Sequence, residues 1–187
     1  MAFNPKPEYE VQFDPIPIRD FLDYQDEFVV RPPYQRKTVW GRKKQQDLLD
    51  SLFRRYYIPR IVIREVRLNE DQTIREVIDG QQRITTIQAF LADELPLPKS
   101  LTDINPELAG AYYSQLPSDV RRFIDRELKY NADIVKGIDN PHHAEHQRIA
   151  SEIFWRLQQG ESLNYMEIAH ARLSSLVRNF IVKYGDD

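Results

Sequence analysis

The chain has 187 residues, 41% hydrophobic and 29% charged, with a net charge of −3 and no cysteine. That balance suits one soluble globular domain, or one domain with a small helical appendage, and it excludes disulfides and thiolate zinc sites. No apolar run approaches the ~20 residues of a membrane span, and Met1-Ala2-Phe3-Asn4-Pro5-Lys6-Pro7 lacks a secretory pattern, so the cytoplasm is the expected location and no membrane partner is expected.

Residues 1–15 are rich in proline and polar groups and predict an extended arm. Ile16-Pro17-Ile18 reads as an edge strand, where proline is tolerated. Arg19 to Tyr24 reads as a short helix, and Phe28-Val29-Val30 as a strand stopped by Pro32-Pro33. From Arg42 to Tyr56, Leu48, Leu49, Leu52 and Phe53 recur at helical spacing, and Pro59 breaks the helix. Ile61 to Leu68 alternates as a strand, Asn69-Glu70-Asp71-Gln72 turns, and Thr73 to Ile78 returns as its partner. A helix follows from about Gln81 to Leu91, with Ile84, Ile87, Phe90 and Leu91 on one face.

Pro96, Pro98 and Pro106 mark a looser connection. Ser118 is an expected N-cap for a helix from Asp119 to Leu128. Lys129 to Ile138 reads as a strand. Asn140-Pro141 reads as a cap and first-turn proline for a helix carrying Ile149, Ile153, Phe154 and Leu157 and ending near Gly160. A last helix is expected from about Tyr165 to Tyr184. The class is α+β: a small mixed sheet with helices, then a mostly helical C-terminal part. The expected division is an arm over 1–15, an α+β core over 16–95 and a helical subdomain over 96–187.

The densest chemistry lies in Val77-Ile78-Asp79-Gly80-Gln81-Gln82-Arg83-Ile84-Thr85-Thr86-Ile87. A strand that turns through glycine into a helix start aims backbone N–H groups at one point. Arg83 adds a planar cationic fork in the first turn. Gly80 allows close backbone approach to a phosphate, and Gln81 and Gln82 donate or orient water. Asp79 positions a divalent cation or a water, while the hydroxyls of Thr85 and Thr86 reach ligand or serve the helix. Arg83 would neutralise charge developing in phosphoryl transfer. The pattern is not a Walker loop, because no Gly-Lys-Ser/Thr follows. The competing reading is a plain strand-to-helix turn capped by Asp79.

Three other stretches stand out. Tyr34-Gln35-Arg36 follows a double proline, so Arg36 offers a second phosphate fork, and Trp40 reads as a core anchor. Between Arg31 and Arg64 ten basic residues face only Asp47 and Asp50, a local balance of +8, which reads either as a solvated face or as a surface attracting phosphate. His142 and His146 lie four apart, as zinc ligands on a helix would, but no further His or Cys nearby completes a set, which would need Glu145 or a distant acid. No metal ligands are therefore assigned, and an exposed helix start is expected.

These residues resemble a known family. Tyr34-Gln35-Arg36 with Val39-Trp40, then Ile78 to Thr86, then Phe154, Arg156-Leu157, Gly160, Leu163 and Glu167, look like the N-terminal domain of GmrSD-type modification-dependent restriction enzymes. The resemblance runs over roughly residues 16–175, with three separated motifs in order, and that family is similar to the ParB/sulfiredoxin fold. It implies a domain that binds, and often hydrolyses, a nucleoside triphosphate with Mg²⁺ in prokaryotic defence. The family's Asp-Gly-Gln-Gln-Arg motif falls on Asp79, Gly80, Gln81, Gln82 and Arg83, and its Tyr-Gln-Arg motif on Tyr34, Gln35 and Arg36. Two departures are visible. Gln158 stands where the family usually has Asn after Arg156-Leu157, and no His-Asn-His nuclease motif is present. The expected partners are a nucleoside triphosphate, DNA directly or through a partner, a nuclease domain or subunit, and another copy of the chain. The rival readings are a metal-dependent DNA nuclease acting through the same cradle and a non-catalytic DNA- or partner-binding module.

Overall fold

A computed structural model describes residues 8–30 and 40–159. A five-stranded mixed sheet lies at its centre. In chain order the elements are strand β1 (Glu10–Pro17), helix α1 (Asp20–Asp23), strand β2 (Phe28–Val29), helix α2 (Arg42–Phe53), strands β3 (Ile61–Arg67) and β4 (Thr73–Asp79), helix α3 (Gln81–Leu91), helix α4 (Ser118–Arg126), strand β5 (Lys129–Lys136) and helix α5 (Ala144–Gln159). The strands run in the order β1-β5-β3-β4-β2. β1 pairs antiparallel with β5 and β3 antiparallel with β4, while β5 with β3 and β4 with β2 are parallel. The fold is thus α+β, as the pattern of strands and helices predicts.

β3 and β4 are rich in β-branched residues, and helices cover both of their faces. Alternation along a strand sends Ile61, Ile63 and Val77 to one side, where they pack on Leu49 of α2 and on Ile84, Ile87 and Phe90 of α3. Ile78 and Val135 go to the other side, with Ile149 and Ile153 of α5. Phe90 sits edge-on between Phe53 and Tyr113, at centroid distances of 5.8 and 5.9 Å.

A buried arginine ties the second layer to the sheet. Arg64 is fully buried. Its Nη1 donates to Glu76 Oε2 at 3.1 Å, directly across the β3–β4 ladder, its Nη2 to the Asn140 carbonyl at 3.2 Å, and its Nε to the Ile138 carbonyl. The connection between β5 and α5 is therefore bolted to the hairpin through one guanidinium.

Several boundaries differ from the sequence reading, each for a local reason. The edge strand begins at Glu10, inside the expected arm, because residues 10–17 find a partner in β5. α2 stops at Phe53 rather than Tyr56. Arg55 takes a left-handed φ of 55°, and the Tyr56 N–H closes the cap on the Ser51 carbonyl at 2.9 Å. Ser118 is the first residue of α4 and Pro117 occupies the cap position, with no side-chain cap bond. Asn140 does not cap a helix at Pro141. Its Oδ1 accepts from the His142 N–H at 2.8 Å, and α5 starts at Ala144. The connection holding Pro98 and Pro106 is a series of short 3₁₀ turns. The helix expected over 165–184 lies outside the described residues. Among the described residues no helix is long and apolar enough to cross a membrane.

Candidate functional site

β4 carries Asp79 to the sheet edge, and the chain turns through Gly80 into α3. Gly80 has φ of +96°, and a Cβ there would lie 2.4 Å from Ile61 Cγ2. Glycine is required both by the left-handed backbone and by the closeness of β3. Its carbonyl accepts from the N–H groups of Arg83 and Ile84, each at 3.0 Å. The N–H groups of Gln81 and Gln82, in the first turn, have no partner among the described residues. They form the positive end of an eleven-residue helix.

Arg83 folds back beneath this turn. Its Nη2 donates to Asp79 Oδ2, four residues earlier, and its Nη1 to the Pro59 carbonyl at 2.8 Å. The Tyr130 hydroxyl donates to the same carbonyl at 3.0 Å. Burial pushes the Tyr130 phenol up to about 12, with the Arg83 charge acting against it, so near neutral pH Tyr130 is a hydrogen-bond donor and not a base. Asp79 thus clamps the arginine rather than capping the helix. The Arg83 side chain is 11% exposed and Asp79 26%, so the pair sits at the rim of the core with one side toward solvent.

The two glutamines divide. Gln82 Oε1 accepts from the Trp40 N–H at 2.8 Å, and the Gln82 carbonyl accepts from Thr86 Oγ1 at 2.6 Å and from Thr85 Oγ1 at 3.3 Å. Both threonine hydroxyls therefore serve the helix itself. Gln81 Nε2 is enclosed with no partner among the described residues. Tyr34, Gln35 and Arg36 lie outside the described residues. The first described residue after them, Trp40, is the one bonded to Gln82. Trp40 is partly buried against the main core, with Lys44 Nζ 4.7 Å above its ring.

The remaining candidates are placed elsewhere. α5 packs on the opposite face of the sheet from α3. Its Arg156 donates to Glu152 Oε1 through Nε at 3.2 Å and Nη2 at 2.9 Å. The Gln158 side chain, Gly160, Leu163 and Glu167 lie outside the described residues. His142 precedes α5, so it does not share a helical face with His146. The His146 Nδ1 accepts the Asn140 N–H at 3.1 Å, and its ring stacks 4.4 Å from His143. Among the described residues no group of three or more His, Asp or Glu side chains is placed to hold a metal.

The basic stretch is also less free than its count suggests. Arg64 is buried, Arg54 is held by Asp50 and Asp103, Arg60 by Asp133 at 2.9 Å, and Lys43 by Asp47. What sequence reasoning missed at the turn is Tyr130 and the Pro59 carbonyl. Pro59 reads only as a helix breaker, and a main-chain acceptor leaves no mark in a sequence. Comparison with known proteins gives one family: the model of the GmrSD restriction endonuclease N-terminal domain matches residues 18–174. No curated protein and no solved structure matches the chain.

Proposed function

The chain belongs to the family of GmrSD restriction endonuclease N-terminal domains, which places it in DNA restriction, and we propose that its Asp79–Arg83 turn binds the phosphates of a nucleoside triphosphate. The observation that carries this reading is the open first turn of α3, with two N–H groups that have no partner among the described residues beside the Arg83 cation. A helix N-terminus with an adjacent guanidinium suits an anion with several oxygens.

Each side chain of the turn then has a position. Asp79 and the Pro59 carbonyl hold Arg83 under the turn. Gln82 ties Trp40 to the helix. Gln81 is the polar group of the turn with no described protein partner. Mg²⁺ keeps several waters and is commonly held by one or two carboxylates plus substrate phosphates. The turn offers Asp79, already held by Arg83, so the fit is to an ion that arrives with the nucleotide. There it would supply charge neutralisation at the phosphates. We further propose that nucleotide turnover governs cleavage of foreign or modified DNA by a nuclease domain or subunit, and that the protein works in the cytoplasm.

The test is phosphate release from ATP, GTP, CTP and UTP with Mg²⁺, with and without DNA, by wild type and Arg83→Ala. The expected result is turnover of at least one nucleotide by wild type and its loss in the variant. Gln82→Glu separates binding from folding. It keeps an acceptor for the Trp40 N–H, and a negative charge in a first helical turn stabilises by about 0.3–1 kcal/mol, yet it repels phosphate. Wild type that neither binds nor hydrolyses any of the four would overturn the reading. Metal-dependent DNA cleavage without nucleotide would favour a nuclease instead.

A further inference from the structure

A cleft of about 280 Å³ opens between the end of α2 and the start of β5. Buried Leu52, Leu128 and Tyr130 form its floor, and exposed Tyr56, Lys129 and Asn131 stand around it. The Tyr130 side chain is shared with the phosphate turn. It lines the cleft, while its hydroxyl reaches the Pro59 carbonyl that also holds Arg83. The cleft and the Asp79–Arg83 turn are therefore adjacent, on the face of the sheet that carries α2 and α3.

The lining has the character of a site for a flat, polar-edged ring. The volume lies at the small end of ligand pockets, enough for one base and part of its sugar. Tyr56 is 62% exposed, although a large ring of this kind usually gains by burial. It follows Arg55, which takes a left-handed conformation that arginine rarely adopts. An exposed aromatic beside an apolar floor gives a stacking surface for a flat ring.

We infer that this cleft holds the nucleobase of the nucleotide whose phosphates sit at the Asp79–Arg83 turn, with the base against Tyr56. The inference rests on the phosphate-binding reading above and adds the part of the ligand that reading leaves unplaced.

The test is calorimetric titration of the full chain with the four nucleoside triphosphates and with inorganic tripolyphosphate, each with Mg²⁺. It uses wild type, Tyr56→Ala and, as a control, Tyr57→Ala, which is 82% exposed and does not line the cleft. Wild type is expected to bind at least one nucleotide more tightly than tripolyphosphate. Tyr56→Ala should weaken the nucleotide about tenfold, within the range of one base–aromatic stack, and leave tripolyphosphate unchanged. Tyr57→Ala should match wild type. Tripolyphosphate binding as tightly as every nucleotide, or Tyr56→Ala binding nucleotide like wild type, overturns the base site and leaves the phosphate site standing. No binding of either probe overturns both. A single-stranded oligodeoxynucleotide that binds wild type but not Tyr56→Ala, undisturbed by nucleotide, would assign the cleft to DNA and overturn the inference.

Discussion

Arg64 on β3 and Arg83 in α3 each meet a carboxylate supplied by β4, Glu76 in the first case and Asp79 in the second, on opposite faces of the sheet. Arg64 is fully enclosed, and Glu76, Ile138 and Asn140 occupy its fork. Arg83 is gripped by one carboxylate and one carbonyl, and lies beside helix N–H groups that nothing described occupies. A buried ion pair whose arginine donates from all three nitrogens to protein acceptors is enclosed away from any ligand and acts as a strut. The same pair at a helix start, partly open to solvent, keeps a positive field pointing outward. Burial and the neighbouring backbone, not the residue types, separate the two roles.

Substitutions should pull the roles apart. Arg64→Ala has the largest expected effect, a loss of about 3–5 kcal/mol, because Glu76 is left buried and uncompensated. The denaturant midpoint measures it, and nucleotide affinity of the folded fraction should be unchanged. A hydrophobic pair at 64 and 76 should restore much of that loss. Gly80→Ala comes next. The φ of +96° and the 2.4 Å approach to Ile61 forbid a Cβ without movement, so the cost is roughly 1–3 kcal/mol. Here, unlike at Arg64, nucleotide binding should fall even in folded protein, since the first-turn N–H groups shift. Equal binding by Gly80→Ala and wild type would dissolve the contrast. Tyr130→Phe removes one donor from a carbonyl that Arg83 still satisfies, and should cost about 1 kcal/mol by thermal unfolding.

The smallest effect concerns pH near the strut. Burial, then the charges of His143 and Arg64, hold His146 below its ordinary value of 6.5. The unfolded chain therefore binds more protons below about pH 6.5, and stability contributed by neutral His146 is full above that pH and is lost as pH falls through the lowered folded value. His146→Gln should lose less melting temperature between pH 7 and pH 5 than wild type. An identical loss in both would remove His146 from the account.

Much of this contrast was legible in the residues. Asp-Gly after a β-branched run, followed by apolar residues at helical spacing, located α3 to the residue. The β3–β4 hairpin was legible from its Asn69–Gln72 turn, but counting outward from that turn pairs Leu68 with Thr73 and Arg64 with Val77, one residue away from the observed register of Arg67 with Thr73 and Arg64 with Glu76. The pair was therefore hidden by a one-residue difference in loop length, and in the sequence Arg64 reads as one more charge in a basic stretch. The place of β5 between β1 and β3 was not legible. Its parallel pairing with β3 joins residues about seventy apart and is decided by packing on both faces. The grip of the Pro59 carbonyl on Arg83 was hidden for another reason, since a main-chain oxygen carries no sequence signal.

The central claim is that the Asp79–Arg83 turn is a phosphate site. The most direct measurement is the melting temperature of wild type and Gln82→Glu, each with saturating Mg²⁺ and each of the four nucleoside triphosphates in turn. A ligand at a hundred times its dissociation constant stabilises the folded state by about 2.7 kcal/mol, a shift that is easily read. The account predicts a rise for wild type with at least one nucleotide and none for Gln82→Glu, whose own melting temperature without nucleotide equals or exceeds that of wild type. Equal shifts in the two proteins, or no shift in wild type with any nucleotide, would contradict it.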